Sequence, residues 1–315
     1  MALRTIGAVT AVAFALCACN GTASYPPSAG ASALRRPYAT AHRPSGQTMY
    51  VASIYTSSGA LYGYSFPDLR MTYSTSSGLN EPEGVTTDSS GAVYVANTYG
   101  YNILKFVPPA TDPVLRIDDR GFRPSDVAVD SKNNIWVANW CTKKGTCGPG
   151  NVREYSSAGK LLHTIRCSNL TWYVFLAIDK HDNVVVDGDP PYGTYSSAGE
   201  IGAGTTTCTT LTSIHTGAPG GVQFTKNGDV AIIDTVDVVM RTYAKPRFTN
   251  VIATTPFYGV PTPVEDAFVK SGRYVWASVQ GYNGVFEFLY PEGGNPINSI
   301  QGIYFPTGVA ITAAK

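Results

Sequence analysis

Apolar residues in this chain come in short alternating runs broken by small polar turns. "PEGVTTDSSGAVYVAN", Pro82 to Asn97, offers one strand, a turn led by Asp88, and a second strand that alternates large residues with small ones. Period-two alternation is the mark of a strand, and a few residues of Asp, Asn or Gly between two such runs mark a hairpin. The phrase returns as "PSDVAVDSKNNIWVAN", "YVFLAIDKHDNVVVDG", "PGGVQFTKNGDVAIID", "PVEDAFVKSGRYVWAS" and finally "PTGVAITAAK". The copies lie roughly 42 to 49 residues apart, the period of propeller blades rather than of helical solenoids. Two more strands follow in most copies, such as "NILKFV" with "VLRID", or "NVREYS" with "KLLHTIRC" across the turn "SAGK".

Four-stranded sheets expose both faces unless they pack radially against one another, so the repeat predicts a ring. Its ends are complementary. "PTGVAITAAK" supplies a first strand with no second, and "QTMYVASIY" a second strand with no first. The expected fold is therefore all-β, a six-bladed β-propeller over residues 46–315, closed by a blade shared between the N- and C-termini.

The motif "PEGVTTDSSGAVYVANTYGYNILKF" resembles the NHL-repeat family in its Pro-x-Gly-Val start, Asp-led turn, Val-Tyr-Val-Ala strand and Asn-x-Ile strand. The likeness extends over nearly all of residues 46–315, sharpest in blades 2 and 3. It implies a propeller with a binding surface. The family includes scaffolds and enzymes, so it implies no particular reaction.

Strand order assigns the loops to faces. Turns from first to second strand lie on one face, here called lower, and read "DSSG", "DSKNN", "DKHDN", "TKNG" and "KSGR". Loops from second to third strand lie on the upper face and read "NTYGYN", "NWCTKKGTCGPGN", "DGDPPYG" and "SVQGYN", longer and richer in Tyr, Trp and Gly. Aromatic side chains on a rigid frame suit recognition. The predicted ligand-binding residues are Glu83, Asn97, Tyr99, Tyr101, Asn139 and Trp140, with Tyr192 and Tyr282 in equivalent loops. Ser53, Ser125, Asp187, Asp234 and Ser278 are expected at the same mouth, where their oxygens either orient a polar ligand or calcium, or bond adjacent turn backbone.

Only 14% of residues are charged and the net charge is +1, so no basic surface exists to neutralise nucleic acid or an anionic membrane. The N-terminus changes the setting. "MALRTIGAVTAVAFALCAC" has a basic Arg4, an apolar stretch and small residues before a cysteine, as a secretory signal does. "LCAC" resembles the bacterial lipobox, which places the signal at residues 1–18 and a lipid on Cys19. Residues 19–45, rich in Pro, Ser, Ala and Gly, read as a flexible tether. The expected location is the bacterial cell envelope, exported and lipid-anchored to the membrane, with the chain a monomer. Cys141, Cys147, Cys167 and Cys208 then remain, an even number. Four cysteines allow three connectivities; the short loop "CTKKGTC" favours Cys141–Cys147 and leaves Cys167 with Cys208. Zinc is disfavoured, since no C-x-x-C follows the signal and His42, His163, His181 and His215 are scattered.

The primary reading is a noncatalytic module for a small molecule or an envelope protein, with no required cofactor. The alternative is a calcium-dependent lactonase, because gluconolactonase-like propellers are similar and use a Glu before Gly on an inner strand as a metal ligand. Glu83-Gly84 fits that element. The positions of the family's other ligands hold Ser125, Val174 and Gly220, so Asn97, Asn139, Asp187 or Asp234 would have to substitute.

Overall fold

A computed structural model describes residues 46–312 apart from 55–57, 67, 143–147, 262–263 and 271, with 264–270 described by their backbone. The signal, Cys19 and the tether lie outside the described residues. The remainder forms six four-stranded antiparallel sheets. In blade 1 the chain's last strand, Pro306–Ile311, pairs with its first, Thr48–Ser53, followed outward by Ala60–Ser65 and Met71–Thr75. The register sets Met49 against Ile311 and Val51 against Val309. The shared closing blade is thus present as the sequence predicts.

Blade 2 runs Val85–Thr87, Val93–Asn97, Asn102–Phe106 and Leu115–Asp118. Blade 3 runs Phe122–Val129, Ile135–Thr142, Asn151–Tyr155 and Leu161–Ile165. Blade 4 runs Trp172–Ile178, Val184–Asp189, Ser196–Ile201 and Cys208–Thr216. Blade 5 runs Val222–Phe224, Val230–Asp234, Val239–Tyr243 and Val251–Pro256. Blade 6 runs Val264–Lys270, Tyr274–Val279, Gly284–Leu289 and Asn298–Gln301.

Packing explains why the second strands read as they do. Because successive side chains point to opposite faces of a sheet, Val93 and Val95 enter the cluster shared with blade 1, while Tyr94 and Ala96 enter the cluster shared with blade 3. Val230 and Ile232 likewise face blade 4, and Ala231 and Ile233 face blade 6. One apolar cluster fills each of the six interfaces, including the one where Trp276, Val285 and Ile300 of blade 6 meet Met49, Val51, Val309 and Ile311 of blade 1. Neighbouring inner strands touch all the way round. Polar bonds stitch them together: Thr307 Oγ1 donates to the Pro82 carbonyl at 2.8 Å, Gly84 N to the Ser125 carbonyl at 2.9 Å, and Ser125 Oγ to the Tyr173 carbonyl at 2.9 Å.

The lower turns are organised by their aspartates, and Ser131 N and Oγ in the blade-3 turn donate to Asp182 in the blade-4 turn at 2.9 and 2.6 Å. Asp88 Oδ1 accepts from the amides of Ser90 and Ala92, Asp130 Oδ1 from Lys132 and Asn134, and Asp179 Oδ1 from His181 and Asn183, at 2.8–3.0 Å. The repeated aspartate is a turn former.

Candidate functional site: the upper face

The polar residues that end the second strands gather at the upper face but are buried there. Asn97 Oδ1 accepts from Asn80 N at 2.6 Å, and its Nδ2 donates to the Gly78 carbonyl at 3.0 Å and to Asn102 Oδ1 at 3.1 Å. Asn139 Nδ2 donates to Asn151 Oδ1 at 2.9 Å. Asp187 accepts from Phe175 N at 2.9 Å and from Gly220 N, at the entry to blade 5, at 3.1 Å. Ser53 Oγ donates to the Tyr304 carbonyl, and Ser278 Oγ to the Thr307 carbonyl at 3.3 Å. Most of these side chains clamp the segment that enters their own or the next blade. Turn bonding describes Asn97, whereas Asn139 bonds the Asn151 side chain on the paired third strand.

The other predicted residues cluster where blades 2 and 3 meet. Tyr99 and Tyr101 are half-buried and belong to a tight turn over Thr98–Gly100, with Tyr101 in a left-handed conformation at φ 56°. Gly100 is required there, since a Cβ would come 2.0 Å from Asn97 Nδ2. The Arg123 guanidinium lies over the Tyr99 ring, 4.8 Å from its centroid. Burial pushes the Tyr99 phenol up, and the Glu81 and Glu83 carboxylates add to this against the pull of Arg123. Glu83 and Trp140 are half-buried. Beneath them Asp119, fully buried, accepts from Tyr155 OH at 2.5 Å and from Arg153 Nη1 at 3.0 Å, while Arg153 also stacks on Phe122. Burial raises the Asp119 carboxyl to about 6, against the lowering pull of Tyr155 and Arg153.

Sequence reasoning missed Arg123, Asp119 and Asp126. Asp126 directly follows Ser125 on an inner strand and accepts from Leu176 N, in blade 4, at 2.9 Å. The strand pairing shifts between Tyr173 and Leu176, and Asp126 and Asp187 accept the amides of Leu176 and Phe175 there. Burial lifts the Asp126 carboxyl to about 7 and Asp187 well above its usual range. The Pro-Ser-Asp spelling carried the available signal: a carboxylate where three of the other copies have Gly84, Gly221 and Gly308.

The opposite half of the face differs. Among the described residues the exposed aromatic side chains are Tyr192, Tyr195, Tyr258, Tyr282 and Tyr304, from 50% exposed at Tyr304 to 94% at Tyr192. All five lie in upper loops, of blades 4 and 6 or of the crossings from blade 5 to 6 and from 6 to 1. The lower-turn aromatics Phe66, Phe248 and Tyr290 are buried. A groove of about 500 Å³ opens beside Tyr195, between blades 4 and 5.

A calcium site was tested on donor chemistry. Both oxygens of Asp187 accept backbone amides, and Asp234 accepts Gly217 N at 2.8 Å and pairs with Arg241. The Ser125 hydroxyl proton is shared between the Ala138 and Tyr173 carbonyls. Among the described residues no group of three or more His, Cys, Asp or Glu side chains is arranged to hold a metal ion. Among the described residues, then, no acidic cluster accompanies Glu83.

One disulfide joins Cys167 to Cys208, with Cα atoms 5.0 Å apart, tying the entry of blade 4 to its outer strand. Cys141 is also disulfide-bonded; Cys147 lies outside the described residues.

No family model matches the chain, and no curated protein matches it either. Solved structures do. A chain of a nidogen/laminin complex superposes with a TM-score of 0.69 at 12% identity, covering 86% of this chain and all of the other. A Bacteroides caccae protein of unknown function gives 0.64 at 13% identity, covering 86% and 99%. A functionally unknown protein from Desulfotomaculum acetoxidans gives 0.58 at 14% identity, covering 85% and 99%. At these identities the likeness establishes the six-bladed propeller fold.

Proposed function

We propose that this chain is a noncatalytic recognition module of NHL type, tethered to the cell envelope through a lipid on Cys19, and that it binds its partner or ligand with the upper face. The observation that carries the reading is the one-sided placement, on the upper face, of all five exposed tyrosines among the described residues. Tyrosine offers large contact area with few rotatable bonds and a polar tip, and so is favoured where surfaces associate. Glu83, Tyr99, Tyr101 and Trp140 border this surface; Asn97 and Asn139 support it from below. The donor set argues against the calcium-dependent lactonase.

The test has two arms. Membrane fractionation should find Cys19→Ser released to the soluble fraction, because stable anchoring takes more than one acyl chain and the lipidated cysteine supplies them; unchanged retention contradicts the anchor. Photo-crosslinking in living cells from a probe at Tyr282 should give adducts that a probe at Lys226, in a lower turn, does not. Equal adducts from both positions contradict the upper-face assignment, and calcium-dependent lactone hydrolysis lost in Glu83→Gln would make the protein an enzyme.

A further inference from the structure

The groove between blades 4 and 5 has walls of distinct chemistry. Tyr195 and Val236, both well exposed, present an aromatic ring and an apolar edge. Its floor passes Gly217, where a Cβ would come 2.7 Å from the Val236 Cβ, so only glycine keeps that floor low. Its polar end is Asp234, Asp237 and Arg241, with His215 across from them in sequence on the outer strand of blade 4.

The charges there are already arranged. Arg241 pairs through Nη1 with Asp234 and through Nη2 with Asp237. Asp234 further accepts the amides of Gly217, Val236 and Asp237 at 2.8–3.1 Å. Burial pushes its carboxyl up, but these amides and the guanidinium outweigh that and hold it below the usual range. Two carboxylates against one guanidinium repel an anion. A cation would compete with an Arg241 that both carboxylates already hold. What remains available for hydrogen bonding is the Tyr195 hydroxyl, the His215 imidazole and the Asp237 carboxylate oxygen that is not paired with Arg241. A ligand that lays an apolar face on a ring and carries several hydroxyls able both to donate and to accept fits this set, and the volume falls within the range of small-molecule sites.

We infer that this groove binds a neutral saccharide, its ring face stacked on Tyr195 and its hydroxyls bonded to Asp237 and His215. The inference rests on the upper face being the recognition surface and specifies one ligand class for it.

Isothermal titration of the full-length chain, purified in a detergent without a sugar headgroup, against cello-, xylo-, malto- and chito-oligosaccharides tests it, with a lysine oligomer as the cationic probe. At least one oligosaccharide should bind; Tyr195→Ala and Asp237→Ala should each weaken it about ten-fold or more, and Lys226→Ala, in a lower turn outside the groove, by no more than about two-fold. Absence of binding across the panel, binding that Tyr195→Ala leaves unchanged, or binding of the lysine oligomer in place of saccharides overturns the assignment. Crosslinks from Tyr282 alongside any of these results would leave the recognition surface standing and remove the saccharide alone.

Discussion

The two halves of the upper face are built from similar loops and end in different states. Around blades 2 and 3, Tyr99 lies under Arg123, Asn97 holds the entry of its blade, and Asp119 binds Arg153 and Tyr155. Across blades 4 to 6, Tyr192, Tyr195, Tyr258, Tyr282 and Tyr304 stand in solvent. Both halves carry the Tyr-Gly-rich signature that suggests recognition. The difference lies in how far each ring is covered: Tyr99 lies under Arg123 of the next blade, whereas Tyr282 touches Phe286 of its own blade and stays half-exposed, which local sequence does not record.

The largest effect should come from removing the frame that both halves share. Truncation after Gly302 deletes Pro306–Ile311, exposing the inner edge of blade 1 and the cluster that Val309 and Ile311 complete. Burial of each such side chain contributes about 1.5–3 kcal/mol, so calorimetry should find no cooperative native transition. A melting temperature like that of the full chain would contradict the closure.

Next, the bracing half should respond in stability. Asn97→Ala leaves the Asn80 amide and the Gly78 carbonyl without their partner and should cost about 1–3 kcal/mol, read by urea denaturation. Asp119→Ala should cost at least as much, because it strands the buried Arg153.

A pH series sharpens the same contrast. The carboxyls of Asp119 and Asp126 are raised by burial to about 6 and about 7 from an ordinary 3.8, so the folded chain holds protons that the unfolded chain has released. Their contribution is full below about pH 4 and is lost as pH rises through 6 and 7, on the order of a few kcal/mol. Denaturant midpoints should therefore be higher near pH 5 than near pH 8, and Asp126→Asn should flatten that slope. A slope of the opposite sign would show that these carboxyls are not raised.

The smallest change in stability belongs to the exposed half. Tyr192→Ser and Tyr282→Ser should each shift stability by no more than about 0.5 kcal/mol, while reducing crosslinking to any partner. Tyr99→Ala should instead lose both its stacking on Arg123 and part of its buried area, and show as a stability loss.

The ring itself was legible because its determinants are local and repeated. Val93 to Ala96 and Val230 to Ile233 are short apolar runs bounded by polar turns, as strands buried on both faces read, and the orphan strands at the two ends announce their pairing. The upper loops were legible as a face but not residue by residue. Asn97 and Asn139 read alike in sequence, yet Asn97 reaches back to Gly78 and Asn80 at the entry of its blade while Asn139 bonds Asn151 on the neighbouring strand. Asp126 went unread because its partner, the Leu176 amide, lies fifty residues away across a blade interface.

Hydroxyl-radical footprinting tests the central claim most directly, comparing tyrosine oxidation in the full-length protein in its native envelope with that in detergent. The account predicts protection of Tyr192, Tyr195, Tyr282 and Tyr304 in the envelope, with Met71 and Leu162, on the outer rim, oxidised equally in both settings. Equal oxidation of the four tyrosines in both settings, or protection confined to the lower turns, would contradict it.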